Sequence, residues 1–191
     1  MEVRITDGYV LLGEYPQTGT VKEPIKWRVL CNGGGVLTLI TDVILFNRDF
    51  DNRYSDYRTS DVRKYITEEF FQFAFSSEEQ ELILPTELED GVCDRVYLPS
   101  LDELKAIERD SRIRKVTPYA VSTKASAYPY QGKKYRHLEG NGWYWTRTPH
   151  KPPYDPKRDN HVWYVSYSGG LETRPVWGAD IGAVLMMRVR I

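Results

Sequence analysis

Cysteine is scarce in this chain of 191 residues, which holds only Cys31 and Cys93. Two cysteines cannot build the dense disulfide framework of small secreted domains. No apolar run approaches the ~20 residues of a membrane-spanning helix, and the first residues lack the apolar core of a signal peptide. We therefore expect two buried thiols, with a disulfide between them as the alternative, and a cytoplasmic protein that does not contact membranes.

The sequence also lacks the short motifs of common catalytic and metal chemistry. It contains no G-x-x-x-x-G-K-[ST] phosphate loop and no G-x-S-x-G nucleophile elbow. His137, His150 and His161 are widely spaced, which favours surface histidines over zinc ligands. Three aspartates within residues 49–56 lack EF-hand spacing, which favours solvated carboxylates paired with arginines over a calcium site. We expect a protein that is not an enzyme and has no cofactor and no bound metal.

Aromatic residues, by contrast, are plentiful, and five tryptophans and fourteen tyrosines can fill much of a core. A chain of this length buries roughly 70% of its unfolded surface when it folds, so it needs no disulfides or metal ions for stability. The densest aromatic stretch is residues 142–149, where alternation places Trp143, Trp145 and Arg147 on one face of a strand. Because the other face carries Tyr144, we expect the central strand of the core here.

Hydrophobic periodicity predicts the other elements. Helices should follow capping residues at 59–61, 77–80 and 100–103. One face of the first helix should pack against the core, and its residues are Val62, Tyr65, Ile66, Phe70 and Phe73. Strands are expected over residues 5–12, 25–30, 36–40, 92–98, 161–167, 171–176 and 183–191, with a glycine-rich hairpin turn at 32–35.

The net charge of −1 is unevenly distributed. Residues 41–110 carry 18 acidic and eight basic groups, whereas residues 111–191 carry 14 basic and five acidic groups. Between residues 112 and 158 tyrosines interleave with the basic groups, a pattern suited to phosphate neutralisation and base stacking. A solvated loop surface balanced by the acidic half is the alternative. The pI of 6.3 argues against general nucleic-acid coating and leaves local contact with a nucleoprotein open.

Several segments in a fixed order resemble an uncharacterised bacterial and phage family, a domain of unknown function. They are GEYPQ at 13–17, PIKWRVL at 24–30, DVRKYI at 61–66, AFSSEE at 74–79, DRVYLPS at 94–100 and GWYWTRTP at 142–149. The family pattern runs roughly G-x-Y-P-Q, P-I-x-W-x-V-L and W-W-L-R-S-P.

That family is similar to the C-type-lectin-like fold shared with formylglycine-generating enzymes. The resemblance implies one α+β domain over residues 1–191, with a twisted mixed or antiparallel sheet, two or three flanking helices and long loops. The sugar-binding motifs of calcium lectins and the close cysteine pair of formylglycine-generating enzymes are absent from this sequence. The resemblance therefore implies a fold and no activity.

These observations favour a non-catalytic binding module that recognises a macromolecular partner, a protein or nucleoprotein, through basic, aromatic-rich loops. One such role is that of a phage or mobile-element protein that inhibits a bacterial defence nuclease, as anti-CRISPR proteins do. The candidate binding residues are Lys133, Lys134, Tyr135, Arg136, Trp145, Arg147, Lys151, Lys157, Arg158 and Arg174.

Two alternatives stay open. A small-ligand-binding protein or an enzyme would place its pocket around Trp145, Arg147, Trp163 and Arg174. A carbohydrate-binding domain would use the aromatic rings. For Arg147 itself we favour a buried structural arginine, tied to the backbone or to an acidic partner, over a ligand-binding one.

Overall fold

The chain folds into curled, mostly antiparallel sheets with a few short helices. The structure, a computed structural model, describes residues 3–89, 91–150 and 160–191. The strands are β1 (Tyr9–Pro16), β2 (Lys22–Gly33), β3 (Val36–Thr41), β4 (Val43–Ile44), β5 (Phe46–Asn47), β6 (Ile83–Leu84), β7 (Thr86–Glu87), β8 (Cys93–Asp94), β9 (Val96–Tyr97), β10 (Lys115–Val116), β11 (Tyr144–Pro149), β12 (His161–Val165), β13 (Leu171–Pro175), β14 (Gly182–Ala183) and β15 (Met186–Arg190). The α-helices are α1 (Asp61–Lys64), α2 (Phe71–Ala74), α3 (Ser77–Leu82), α4 (Leu101–Lys105) and α5 (Pro118–Ser122).

The first sheet has the order β1-β2-β3-β15-β6, and β9 also pairs with β15. All its pairs are antiparallel. The predicted hairpin is confirmed, because β2 and β3 join through a turn in which Gly34 and Gly35 have positive φ. Trp27 on β2 is fully buried, and its indole Nε1 donates to the Leu12 carbonyl at 2.8 Å. This ring fixes β2 against β1 from inside the core.

The second sheet has the order β13-β12-β11-β14-β5, with β11 in the middle. The central position predicted for the aromatic strand is therefore confirmed. Tyr144 and Trp145 on β11 are both fully buried, while Trp143, just before it, is half-buried against the core. Within this sheet the β11–β14 pair is parallel and the other pairs are antiparallel, while β4 and β10 form a separate parallel pair. The second hairpin, β12 with β13, is also confirmed.

Two predicted strands are each divided in the structure. The run 92–98 forms β8, which pairs with β7, and β9, which pairs with β15. The run 183–191 begins as β14 in the second sheet and continues as β15 in the first. Continuous alternation could not reveal these breaks, because apolar residues before and after each break, such as Val92 and Val96 or Ala183 and Met187, pack against the same core.

The first helix differs from the prediction in its inward face. Between α1 and α2 the residues Tyr65–Phe70 form a π-helical segment, in which Phe71 N donates to the Ile66 carbonyl five residues earlier. The wider turn shifts the phase of every following residue. Phe71 is consequently 7% exposed and Phe73 48% exposed. The prediction that Phe73 faces the core is wrong for this reason.

The helix starts follow the predicted side-chain chemistry. Ser100 and Glu103 form a reciprocal capping box at α4. The capping box of α3 uses Ser76 and Glu79, one residue earlier than the sequence suggested. Within the described ranges, no helix has the length and apolarity to cross a membrane.

Both cysteines are free and exposed, so the expectation of buried thiols is wrong. Cys31 lies near the exposed end of β2, and Cys93 lies on the two-residue strand β8. Each occupies a strand position that faces away from the core, which apolar character alone could not exclude.

Candidate functional site

An aromatic cleft opens where the segment before β11 meets the turn after β12. We define the aromatic cleft by its lining residues, which are Ser126, Ala127, Tyr128, Pro129, Asn141, Trp143 and Tyr167, and its volume is about 210 Å³. The ring centroids of Tyr128 and Tyr167 lie 4.4 Å apart, and those of Trp143 and Tyr167 lie 6.2 Å apart. All three rings are half-buried, so each is held by the protein yet presents surface to solvent.

Backbone pairing holds the first wall of the aromatic cleft. Tyr128 N donates to the Asn141 carbonyl at 2.7 Å, and Gly140 N donates to the Tyr128 carbonyl at 2.9 Å. An isolated bridge between Ala127 and Gly142 continues this pairing. A Cβ on Gly142 would lie 2.2 Å from Val116 Cγ2, so only glycine permits this close approach. The position of Tyr128 is thus set by the sheet rather than by a free loop.

The turn that carries Tyr167 is equally constrained. Ser166 N donates to the Gly170 carbonyl at 2.8 Å, and Gly169 adopts a φ of 75°. Arg109 Nε donates to the Ser168 carbonyl at 3.0 Å. A Cβ at Gly169 would lie 2.2 Å from the Arg109 carbonyl oxygen, so this packing requires glycine. The ring of Tyr167 therefore stands on a fixed turn.

Asn141 connects these parts from a fully buried position. Its Nδ2 donates to the carbonyls of His137 at 3.2 Å and Tyr167 at 3.1 Å. Its buried Oδ1 receives no hydrogen bond from the described residues. A buried acceptor without a donor destabilises a fold by roughly 1–3 kcal/mol. Asn141 therefore holds the two walls of the cleft together while one of its own acceptors stays buried and without a donor among the described residues.

A cluster of cations lies in the segment between Pro129 and Asn141, two residues that line the aromatic cleft. Residues 133–136, which we call the basic turn, begin the 3₁₀-helix Lys133–Leu138, and all four of their side chains are exposed. Among the described residues, none of the cations Lys133, Lys134 and Arg136 forms an ion pair with a carboxylate. Lys134 Nζ lies 5.3 Å from the ring centroid of Tyr135. The basic turn thus displays positive charge that these residues do not compensate.

Arg174, which is also a candidate binding residue, contacts one ring of the aromatic cleft. Its guanidinium lies 4.9 Å from the ring centroid of Trp143 and pairs with Asp180 at 3.3 Å. The charge of Arg174 is therefore already balanced. Partial burial and the neighbouring phenols of Tyr167 and Tyr135 raise the pKa of Tyr128. This shift favours the neutral form of the phenol, which suits a stacking surface.

Trp145 and Arg147 lie in the core and do not line the aromatic cleft. Trp145 Nε1 donates to the Arg48 carbonyl at 3.0 Å. Arg147 donates to the Leu98 carbonyl at 2.6 Å and to carboxylate oxygens of Glu103 at 2.8 Å and Glu89 at 2.5 Å. Although burial opposes its charge, the two carboxylates raise the pKa of Arg147. Arg147 is therefore buried and tied to a backbone carbonyl and two acidic partners, as the favoured interpretation expected.

The remaining candidates divide into two groups. Lys151, Lys157 and Arg158 lie outside the described residues. Trp163 on β12 is half-buried and packs edge to face with the His150 ring, with centroids 5.3 Å apart. Of the four residues of the alternative ligand pocket, Trp145 and Arg147 are buried, Trp163 packs on His150, and Arg174 packs on the cleft residue Trp143.

Two carboxylates in the loop over residues 49–56 bond to groups that are two or three residues away in sequence. Asp51 Oδ1 accepts hydrogen bonds from the backbone N–H groups of Arg53 at 2.7 Å and Tyr54 at 2.8 Å. Asp56 pairs with Arg58 at 2.6 Å, as the arginine-pairing interpretation predicted. The described ranges hold no group of three or more His, Cys, Asp or Glu side chains that could bind a metal ion.

Two larger clefts lie elsewhere on the molecule. One of about 440 Å³ is bounded by the helix α2 and the strands β8 and β9, and it is lined by Thr67, Phe71, Gln72, Gln80, Cys93, Asp94, Arg95 and Val96. The other, of about 480 Å³, lies beside β1 and is lined by Arg4, Thr6, Asp7, Tyr9, Leu11 and Lys26. Neither was predicted from the sequence, because each combines segments that no local motif marks.

Comparison with known proteins gives one match. A family described as "Domain of unknown function (DUF6273)" matches residues 34–189 of the chain. No curated protein and no solved structure shows significant similarity to it.

Proposed function

Because the chain belongs to this family, whose function is unknown, we propose a role from the geometry of the site. We propose that the protein is a non-catalytic binding module that recognises a macromolecular partner through the aromatic cleft and the basic turn. The observation that carries the proposal is a set of three exposed cations in the segment that connects Tyr128 and Asn141, which belong to a fixed cleft of half-buried rings.

The size of the cleft supports a macromolecular partner. Pockets for small molecules usually measure about 300–1,000 Å³, whereas the aromatic cleft measures about 210 Å³. A site of this size accepts one ring-bearing group that belongs to a larger ligand. The basic turn supplies the adjoining surface on which the rest of such a ligand would lie.

The chemistry of the cleft supports binding rather than catalysis. Among the described residues, its lining contains no histidine, cysteine, carboxylate or lysine. The raised pKa of Tyr128 lies further from neutral pH, whereas an effective general base has a pKa close to it. Rings fixed by backbone pairing suit recognition, because little order is lost when a ligand binds.

The finer parts of the proposal rest on the resemblance. Two curled sheets that carry long connecting segments are compatible with a C-type-lectin-like fold, and we retain that identity as part of the proposal. Action within the cytoplasm, and inhibition of a bacterial defence nuclease by a phage or mobile element, would be one instance of the proposed role. Such a nucleoprotein partner would suit a surface that combines rings with cations.

Affinity capture with charge-reversed variants tests the proposal. The immobilised protein, a K133E/K134E/R136E variant and a K64E/K105E control are each incubated with bacterial lysate, and bound proteins are quantified by mass spectrometry. Lys64 and Lys105 are also exposed lysines, but they lie on α1 and α4. We expect a partner that the wild type and the control retain and the triple variant loses. A partner retained equally by all three proteins, or none at all, would refute the proposal.

A second candidate function, small-ligand binding, is favoured by the 440 Å³ cleft beside α2, whose volume lies in the usual range. Arg95 and Gln80 would supply its polar contacts, and Arg95 is already held by a 2.7 Å hydrogen bond to the Gln80 carbonyl. A ligand at 100 times its Kd would stabilise the fold by about 2.7 kcal/mol. At roughly 2–4 °C per kcal/mol for this chain length, the melting temperature would rise about 5–11 °C. A metabolite screen with no such shift would remove this candidate.

A further inference from the structure

We propose that the partner bound by the aromatic cleft and the basic turn is a single-stranded nucleic acid, with one base stacked in the cleft and adjoining phosphates on the cations. This inference rests on the proposed function, since it names the partner class for the same surface. It commits to single strands because a base within a duplex is covered on both faces by its neighbours.

The rings provide the stacking surface. Tyr128, Trp143 and Tyr167 are held at fixed positions with surface open to solvent, and the cleft has room for one planar group. Tyr130 lies just before the basic turn and Tyr135 lies within it; they are 58% and 38% exposed and offer rings for neighbouring bases. Every base has a π face, so such platforms bind a strand with little preference for sequence.

Asn141 does not decide between ring-bearing groups. Its Oδ1 receives no hydrogen bond from the described residues, but the atom is fully buried and therefore not accessible to a ligand in the cleft. The preference for a base rests on the aromatic rings, since a flat base stacks on them over its whole face.

The charges favour an anionic strand over a neutral sugar. Lys133, Lys134 and Arg136 lie within one short helical turn, and the described residues leave them unpaired. This turn is joined to the cleft through the His137 carbonyl, which accepts a hydrogen bond from Asn141 Nδ2. A neutral glycan would gain little from three cations, whereas phosphates of a strand would release counterions on binding.

The test measures binding of labelled oligonucleotides of about 12 nucleotides, within the length range that such sites cover. Single-stranded DNA, single-stranded RNA and a DNA duplex of equal length are titrated with the full chain, and both anisotropy and quenching of tryptophan fluorescence are followed. We expect both single strands to bind, the duplex to bind at least tenfold more weakly, and tryptophan emission to be quenched because Trp143 lines the cleft. Comparison of the affinities for the two single-stranded probes shows whether DNA or RNA is the preferred ligand.

Two variants separate stacking from charge. Tyr128→Leu removes one stacking platform and should weaken binding roughly 5- to 150-fold, the equivalent of ~1–3 kcal/mol per base. K133Q/K134Q removes two exposed cations. Three phosphate contacts give a slope of log K against log salt of about −2, and this variant should reduce it to about −0.7. K64Q/K105Q is the matched control and should leave both values unchanged, and melting temperatures confirm that each variant folds.

Three results would overturn the inference. The first is equal affinity for duplex and single strand. The second is binding that depends on the lysines but not on Tyr128. The third is the absence of oligonucleotide binding while lysate capture still recovers a protein partner lost on charge reversal. In that third case the proposed function would survive with a protein or an acidic peptide as the partner. Failure of both experiments would remove both proposals.

Discussion

Arg147 should stabilise the fold without taking part in binding. Its replacement tests whether this buried arginine and the surface binding site act independently. The side chain is 4% exposed and donates to one backbone carbonyl and two carboxylates. Arg147→Met removes these charge-assisted hydrogen bonds and leaves the Leu98 carbonyl without this donor. Since Glu89 and Glu103 are 57% and 33% exposed, water can solvate them after the change. We therefore expect a loss of about 2–4 kcal/mol rather than the 3–5 kcal/mol of a fully buried pair.

Thermal and denaturant unfolding measure this loss. At roughly 2–4 °C per kcal/mol, the melting temperature should fall about 4–16 °C. Arg147→Lys should recover only part of it, because an ammonium cannot reproduce the guanidinium fork. Arg174→Met is the matched control, since its half-exposed pair with Asp180 is worth about 0–1 kcal/mol. If Arg147→Met leaves the stability unchanged, the structural role is refuted, whether or not partner binding is lost.

Three further predictions concern packing, capping and pH. Gly142→Ala should destabilise the protein by about 1–3 kcal/mol, seen by denaturant unfolding, since its Cβ would meet Val116 Cγ2 at 2.2 Å. An unchanged midpoint would argue against the close approach at the cleft wall. Glu79→Ala should cost about 1–2 kcal/mol, because Glu79 completes the α3 capping box and also accepts from Gly13 N at 2.8 Å. Glu78→Ala, one residue earlier in the same helix, is the control and should change stability by less than about 0.5 kcal/mol. Burial raises the pKa of Tyr97 to about 12, above its unfolded value of 10. Its contribution to stability is therefore complete below pH 10 and is lost as the pH rises from 10 to 12. Tyr97→Phe should reduce the fall in unfolding free energy over that window by up to ~1.4 kcal/mol per pH unit, and an unaltered pH profile would contradict this.

The central features of the fold could be predicted because they depend on local signals. The β2–β3 hairpin follows from strands that alternate around a glycine turn, and the central place of β11 follows from rings on both faces of one short segment. The two capping boxes are recognised from four consecutive residues, and each was predicted to within one residue of its position in the structure. Arg147 was correctly interpreted because it lies within that buried strand.

The candidate site was only partly predictable, because it joins residues that are distant in sequence. Asn141 and Tyr167 are 26 residues apart, and the sheet brings them into hydrogen-bond contact. The interleaved basic and aromatic residues indicated the basic turn, but no pattern indicated which tyrosines would meet. The π-helical segment before Phe71 was hidden for a similar reason, since a periodicity of 3.6 residues assumes regular α-helical hydrogen bonds.

Site-specific photo-crosslinking tests most directly whether the aromatic cleft and the basic turn form the binding surface. A photoreactive phenylalanine analogue replaces Tyr135 in one protein and Phe73 in another; both native rings are exposed, at 38% and 48%. After irradiation in bacterial lysate, we predict a discrete partner joined to position 135 and none joined to position 73. A partner captured equally at both positions, or only at position 73, would contradict the account.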